Sequence, residues 1–203
     1  MISPRKRIWG WYFFDWASQP YNTLLLTFIF GPYFAEVARS YFSAQGADAM
    51  AASAMSQAYW TTGQTITGLC IAILSPVLGA ISDGSGRRML WIWLFSVMYV
   101  AGSFALWWTL PDMPGLFWPV FWFSLGFIGM ELATSFTNAL MPDLTGHDDM
   151  GRISGSGFAF GYAGGVLALI LMLLFFAESG ETGKTFIGLD PLFGLSAESR
   201  EGT

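Results

Sequence analysis

The chain has 203 residues, of which 54% are hydrophobic, 18% aromatic and only 11% charged, with a mean hydropathy of +0.50. Soluble domains carry about 25% charged residues, so this charge is too sparse to cover a water-facing surface, and the chain reads as an all-α integral membrane protein. The formal net charge of −5 sits largely in loops and the tail; no basic patch interleaved with exposed aromatics points to nucleic acid, and the single Cys70, inside an apolar run, leaves no disulfide framework or cysteine metal site.

Arg5, Lys6 and Arg7 open an apolar run over residues 8–34. A secretory signal core is about 7–15 residues long; this run is longer and contains Asp15 and Pro20, so it reads as a retained first span. Asp15, Gln19 and Asn22 recur at i, i+4 and i+7, which places them on one helical face. Pro20 removes a backbone hydrogen bond and predicts a kink there. The second span, residues 59–81, aligns Thr61, Gln64, Thr65 and Gly68 on one face, read as ordinary interhelical hydrogen bonding.

Between the second and third spans lies Gly79-Ala80-Ile81-Ser82-Asp83-Gly84-Ser85-Gly86-Arg87-Arg88, short enough only for a tight turn at a membrane surface. Glycine permits the sharp turn. The third span covers 89–110, and the fourth, 116–140, carries Glu131, Ser135 and Asn138 at the spacing seen in the first. The fifth, 155–176, opens Gly155-Ser156-Gly157 and continues through Gly161, Gly164 and Gly165, small residues that let helices approach closely. Residues 1–177 therefore read as a five-span bundle and 178–203, rich in Gly, Ser, Glu and Pro, as an external segment.

Orientation follows from short-loop Lys and Arg. Arg5, Lys6, Arg7, Arg87, Arg88 and Arg152 fall on one side against Arg39 on the other, which places the N-terminus and the Gly79 loop in the cytoplasm. Trp9, Trp11, Trp91, Trp93, Trp107, Trp108 and Trp118 lie near span ends, where an interfacial aromatic belt is expected.

A charge at a span's centre costs roughly 2.5–3.5 kcal/mol on insertion scales, so intramembrane acids mark functional pathways or paired groups. At about 1.5 Å per residue, Asp15 lies roughly 10 Å in from Ile8, and Glu131 roughly 14 Å in from Leu140. Both carboxylates thus fall at similar depth from the cytoplasmic side. Facing one cavity, they would suit a proton carrier or a cation-coordinating site; the plainer alternatives are a solvated Asp15 and a Glu131 paired with a basic group on another span. Gly180-Glu181-Thr182-Gly183-Lys184-Thr185 looks like the end of a phosphate loop, but Glu178 stands where that motif needs a glycine, so no nucleotide and no other cofactor is expected. His147 is the single histidine and reads as a solvated loop residue, with no metal or catalytic site around it.

Gly79-x-x-x-Asp83-x-x-Gly86-Arg87-Arg88 resembles the signature loop of the major facilitator superfamily, although Gly84 stands where that pattern usually has a basic residue. Asp15-Trp16-Ala17-Ser18-Gln19-Pro20-Tyr21 and Leu26-Thr27-Phe28-Ile29-Phe30-Gly31-Pro32-Tyr33-Phe34 look like the first span of its Atg22-like subfamily. Asn138-Ala139-Leu140-Met141-Pro142-Asp143-Leu144 and Gly151-Arg152-Ile153-Ser154-Gly155 are similar to that subfamily's passage into span five.

The resemblance implies twelve spans in two halves that rock in alternating access. It makes this chain an N-terminal fragment, with 178–203 leading to a missing sixth span and a missing C-terminal half. It further implies a secondary transporter of a small polar solute, with a proton or other ion as the coupling partner, in the lipid bilayer of a bacterial inner (plasma) membrane. Amino acids are suggested by the yeast vacuolar relative's association with amino-acid efflux. Gly79, Asp83, Gly86, Arg87 and Arg88 would form a cytoplasmic gate whose partners lie in the other half, with Asp83 and Arg87 as its principal residues. Asp15, Gln19, Asn22, Glu131, Ser135 and Asn138 are the substrate or proton pathway candidates. The basic residue common in span four of the superfamily has no counterpart beside Glu131. A non-transporting scaffold or sensor is the alternative reading, and an intramembrane enzyme lacks a visible nucleophile or metal site.

Overall fold

The computed structural model describes residues 3–145, 149–179 and 182–194; His147, Gly180, Glu181 and the residues from 195 onward lie outside them. Among the described residues there are helices and turns and no strand. In chain order the helices are α1 (Pro4–Pro20), a π-helical segment (Tyr21–Phe30), α2 (Gly31–Ala44), α3 (Ala49–Ser85), α4 (Arg88–Ala105), α5 (Phe117–Asn138) and α6 (Met150–Phe175).

Among the described residues, four helical stretches are long and apolar enough to cross a membrane: Ala49–Ser85, Arg88–Trp108, Phe117–Asp143 and Met150–Phe175. They correspond to the second to fifth expected spans. The first expected span differs, because its helix changes winding at Tyr21 and again at Gly31. Pro20, with no amide hydrogen to donate, stands where the winding first changes. At the second change, a Cβ on Gly31 would come within 2.9 Å of the Leu26 carbonyl oxygen, so the return to α winding needs a glycine. α3 begins ten residues before the expected start of the second span (59 − 49). Asp48 caps it, its carboxylate accepting from the Ala51 amide at 2.8 Å.

The chain forms two compact units, Met1–Tyr33 with Gly151–Thr203, and Phe34–Met150. In the first, Trp11, Asp15, Trp16 and Thr23 seat on Gly157, Gly161, Gly164 and Gly165, where any Cβ would collide with them. Both sets of numbers rise together, so α1 and α6 run parallel. Trp11 is consequently only 4% exposed, which corrects its place in an interfacial belt: the glycine groove takes its ring. Trp9, Trp93, Trp107, Trp108 and Trp118 are exposed.

In the second unit α4 and α5 pack antiparallel. Gly102 lies against the backbone of Gly126, Gly129 against that of Phe95 and Tyr99, and Phe95 and Phe136 meet at 5.3 Å between ring centroids. α3 runs parallel to α5: Gly63 meets Val120, and the Thr67 hydroxyl donates to Ser124 Oγ at 2.7 Å. α2 returns along α3, with Phe34 packed on Trp60 at 5.0 Å and Ser56 donating to the Ala35 carbonyl at 3.1 Å. The expected interhelical bonding of Thr61 and Thr65 is corrected here. Each hydroxyl donates within its own helix, to the Gln57 and Thr61 carbonyls at 2.8 Å, because an exposed helical threonine finds its nearest acceptor one turn back.

Candidate functional site

The polar cluster at the α3–α4 turn is built by one cap and one cation. α3 ends at Gly86, whose φ of 63° is left-handed and whose amide donates to the Ser82 carbonyl at 3.0 Å. Two residues later, Arg88 starts α4, and side chains in a helix's first turn lean back past its N-terminus. The guanidinium therefore reaches the ends of both neighbouring helices. Its Nε and Nη2 lie 3.0 and 2.9 Å from Asp83 Oδ1 on α3. Its Nη1 donates at 3.3 Å both to the Ala139 carbonyl, at the end of α5, and to Asp143 Oδ2 just beyond it. Last-turn carbonyls lack intrahelical donors and carry partial negative charge, so a cation is well placed there.

Beside this ion cluster is a cavity of about 170 Å³, lined by Ser75, Gly79, Ser82 and Ser135 as well as Asp83 and Arg88. Ser82 is 1% exposed and its hydroxyl has no hydrogen-bond partner. Ligand pockets usually measure about 300–1,000 Å³. The cavity is a joint between helix ends and is too small for a substrate. A larger groove of about 780 Å³ runs between α3 and α5. Its walls, among them Met55, Tyr59, Ile66, Val120 and Phe121, are apolar, and its Thr67 and Ser124 hydroxyls are bonded to each other. A polar solute would find little to hold it there.

The sequence-derived residues fall as follows. Gly79, Asp83, Arg88 and Ser135 meet at the small cavity. Gly86 makes the turn, and no hydrogen bond or ion pair engages the Arg87 side chain among the described residues. Asp83, expected to await a partner from another half, has one in this chain, and that partner is Arg88. Asp15 and Gln19 stand on α1, with Asp15 buried at 8% exposure and Gln19 half-buried; Asn22 is half-buried just past the change of winding, where its carbonyl accepts from Thr27 Oγ1 at 3.0 Å. On α5, Glu131 and Asn138 are half-buried and Ser135 is exposed. No basic group pairs with Glu131 among the described residues. Asp15 and Glu131 belong to different compact units.

Sequence reasoning missed the role of Asp143. Its signal was an acid just after Pro142 at a span's end, yet 55 residues separate it from Arg88, and no local pattern announces such a pairing. The same holds for the Asp15–Gly161 contact, since the glycines were legible and their occupant was not.

A family model described as vacuole effluxer Atg22 like matches residues 3–189. The chain is 28% identical over 166 residues to an uncharacterized MFS-type transporter, YxiO, of Bacillus subtilis (strain 168), across 81% of this chain and 36% of the relative. The chain thus spans about a third of the length of the curated relative it matches. No solved structure matches. With the first-span motif, the α3–α4 turn and the passage into α6 all inside the matched region, the chain belongs to the Atg22-like family of the major facilitator superfamily.

Proposed function

We propose that the complete protein is a secondary active transporter that moves a small polar solute across the membrane by alternating access, with amino acids as the substrate class to test first. The observation that carries this reading is the Arg88 cluster, which fastens the ends of α3, α4 and α5 through Asp83, Ala139 and Asp143. Helices that rock as a body need their ends tied so that motion at one is passed to the others. The cluster does this at the turn expected to face the cytoplasm. Arg87, beside it and unbonded, is the residue available to meet the second half when the gate closes. The family description and the printed name of the Bacillus relative support transport.

Glu131 is the leading pathway residue, being half-buried in a spanning helix with no basic partner among the described residues. Ser135 and Asn138 follow it on α5; Asp15, Gln19 and Asn22 are the candidates in the first span. Solute counterflow by the complete protein in liposomes, across a panel of amino acids, tests the reading. We expect saturable counterflow that falls at least tenfold in E131Q and less in D15N. No counterflow across the panel would overturn the transporter reading in favour of a scaffold, and wild-type activity in E131Q would remove that residue from the pathway.

A further inference from the structure

The segment that follows α6 carries its apolar side chains outward. Phe186 and Phe193 are 82% and 87% exposed, and Ile187, Leu189 and Leu192 between them are exposed as well. Phe193 has a φ of 63°, a left-handed conformation uncommon for a bulky residue, so the backbone carries strain where it presents that ring. A single exposed apolar residue needs no explanation, but a run of them forms a patch, and such patches mark interaction surfaces.

The segment is folded. The Thr182 and Gly183 amides donate to the Ser179 carbonyl at 3.2 and 2.9 Å, and the Ser179 amide donates to the Lys184 carbonyl at 2.9 Å. The Thr185 amide donates to the Leu189 carbonyl and the Gly188 amide to the Thr185 carbonyl, both at 2.8 Å. Gly183 and Gly188, with φ of 64° and 78°, permit these two turns.

One further hydrogen bond sets the depth of the fold. The Phe186 amide donates at 3.3 Å to the carbonyl of Leu173, in the last turn of α6, where carbonyls lack intrahelical donors. Leu173 stands two residues before the end of a helix long and apolar enough to cross a membrane, about 3 Å along its axis. Phe186 is therefore level with the end of the span. The exposed stripe of Val166, Ile170 and Leu173, at i, i+4 and i+7, leads up to it along α6. Backbone at that depth must satisfy its own polar groups. The amides of Thr182, Gly183, Lys184, Thr185, Phe186 and Gly188 are all bonded within the segment or to α6. Charge agrees as well: from 182 to 193 the charged residues are Lys184 and Asp190, of opposite sign and 3.9 Å apart, so the stretch carries no net charge.

We propose that residues 182–193 form a lipid-anchoring site at the C-terminal end of α6, with Phe186, Ile187, Leu189, Leu192 and Phe193 set into the headgroup–acyl boundary of the bilayer. Its partner is a lipid surface chosen for its apolar layer and not for its charge. The anchor holds the end of α6 at one depth, where a bare apolar span can tilt or slide to fit the bilayer. The site rests on α6 spanning the membrane and is independent of what the protein transports.

The test is the depth of single nitroxide labels in the complete protein, reconstituted in phosphatidylcholine vesicles. Cysteines replace Phe186, Phe193, Lys184 or Asp190 one at a time, with Cys70 and any other cysteine changed to Ser. Electron paramagnetic resonance then compares collisions with oxygen, which concentrates in the bilayer, and with a neutral nickel chelate, which stays in water. We expect oxygen to dominate at positions 186 and 193 and nickel to dominate at 184 and 190. Nickel dominant at 186 and 193 would place the segment in water and overturn the anchor. Low collision with both reagents there would mean that protein covers the segment, which also overturns it. Adding phosphatidylglycerol should leave the ratios unchanged; oxygen contact that appears only with this anionic lipid would overturn a charge-independent surface.

Discussion

At the scale of single residues, the two arginines of the α3–α4 turn part company. Adjacent in sequence, they differ by the helix they serve. Arg87 precedes α4 and its side chain is unbonded among the described residues, while Arg88 opens α4 and is 32% exposed between two carboxylates and a carbonyl. Exposed ion pairs contribute about 0.2–1 kcal/mol each. With several contacts on one guanidinium, R88A should destabilise the complete protein by about 1–2 kcal/mol, and R87A by less than about 0.5 kcal/mol. Thermal unfolding in detergent checks this, and equal losses would sink the distinction. R88K should recover part of the loss, because an ammonium cannot reach Asp83, Asp143 and Ala139 together as the planar fork does. The glycine spacing and the Asp–Gly–Arg pattern were legible because caps and turns are local; which arginine pairs depends on where α5 ends, 51 residues on from Arg88 at Ala139.

At the scale of elements, glycines sort by what faces them. At Gly102 an added Cβ would meet the Gly126 Cα at 2.7 Å and the Trp122 carbonyl at 2.8 Å, backbone atoms that cannot swing aside. Gly155 and Gly68 face open space. Overpacking costs about 1–3 kcal/mol, so G102A should lower stability by that amount while G155A and G68A leave it near wild type. The thermal midpoints of the three variants decide it. Small-residue spacing in α6 was visible in the sequence, and the structure uses three of those glycines against α1 and Gly165 against Thr23 of the π-helical segment, but not Gly155. Composition shows that a helix is smooth; only the neighbouring helix shows where smoothness is used. The π winding of Tyr21–Phe30 was also beyond sequence reading, since Pro20 announces a break without fixing the winding that follows.

At the scale of the whole molecule, helix directions carry the topology. α1 runs parallel to α6 within one unit; α3 runs parallel to α5 and antiparallel to α4 within the other. The Lys and Arg count of the short loops puts Lys6, Ser85 and Thr145 on one side of the membrane, so cysteines introduced there one at a time, with Cys70 changed to Ser, should label from that side. Replacements at Asp48 and Asp112 should label from the opposite side. Labelling of Lys6 and Ser85 positions from different faces would refute the five-span arrangement. The matched region covers 36% of the Bacillus relative, so we further expect residues 1–203 expressed alone to show no counterflow where the complete protein does. Uptake by the short chain would contradict a pathway between two halves.

The sequence by itself determined the class and the outline: sparse charge, long apolar runs and the turn between them set an all-α membrane protein, its helix positions and the motifs of its family. These depend on composition and on contacts a few residues apart, which a linear reading contains. The tertiary structure alone decided that Arg88 is the cation of the cluster, that Asp143 joins it, that Trp11 is buried, and that Asp15 lies in the Gly161 notch. Each of these is a meeting of helices distant in the chain, fixed by rotation and register about their axes, and neither quantity is encoded in any single helix.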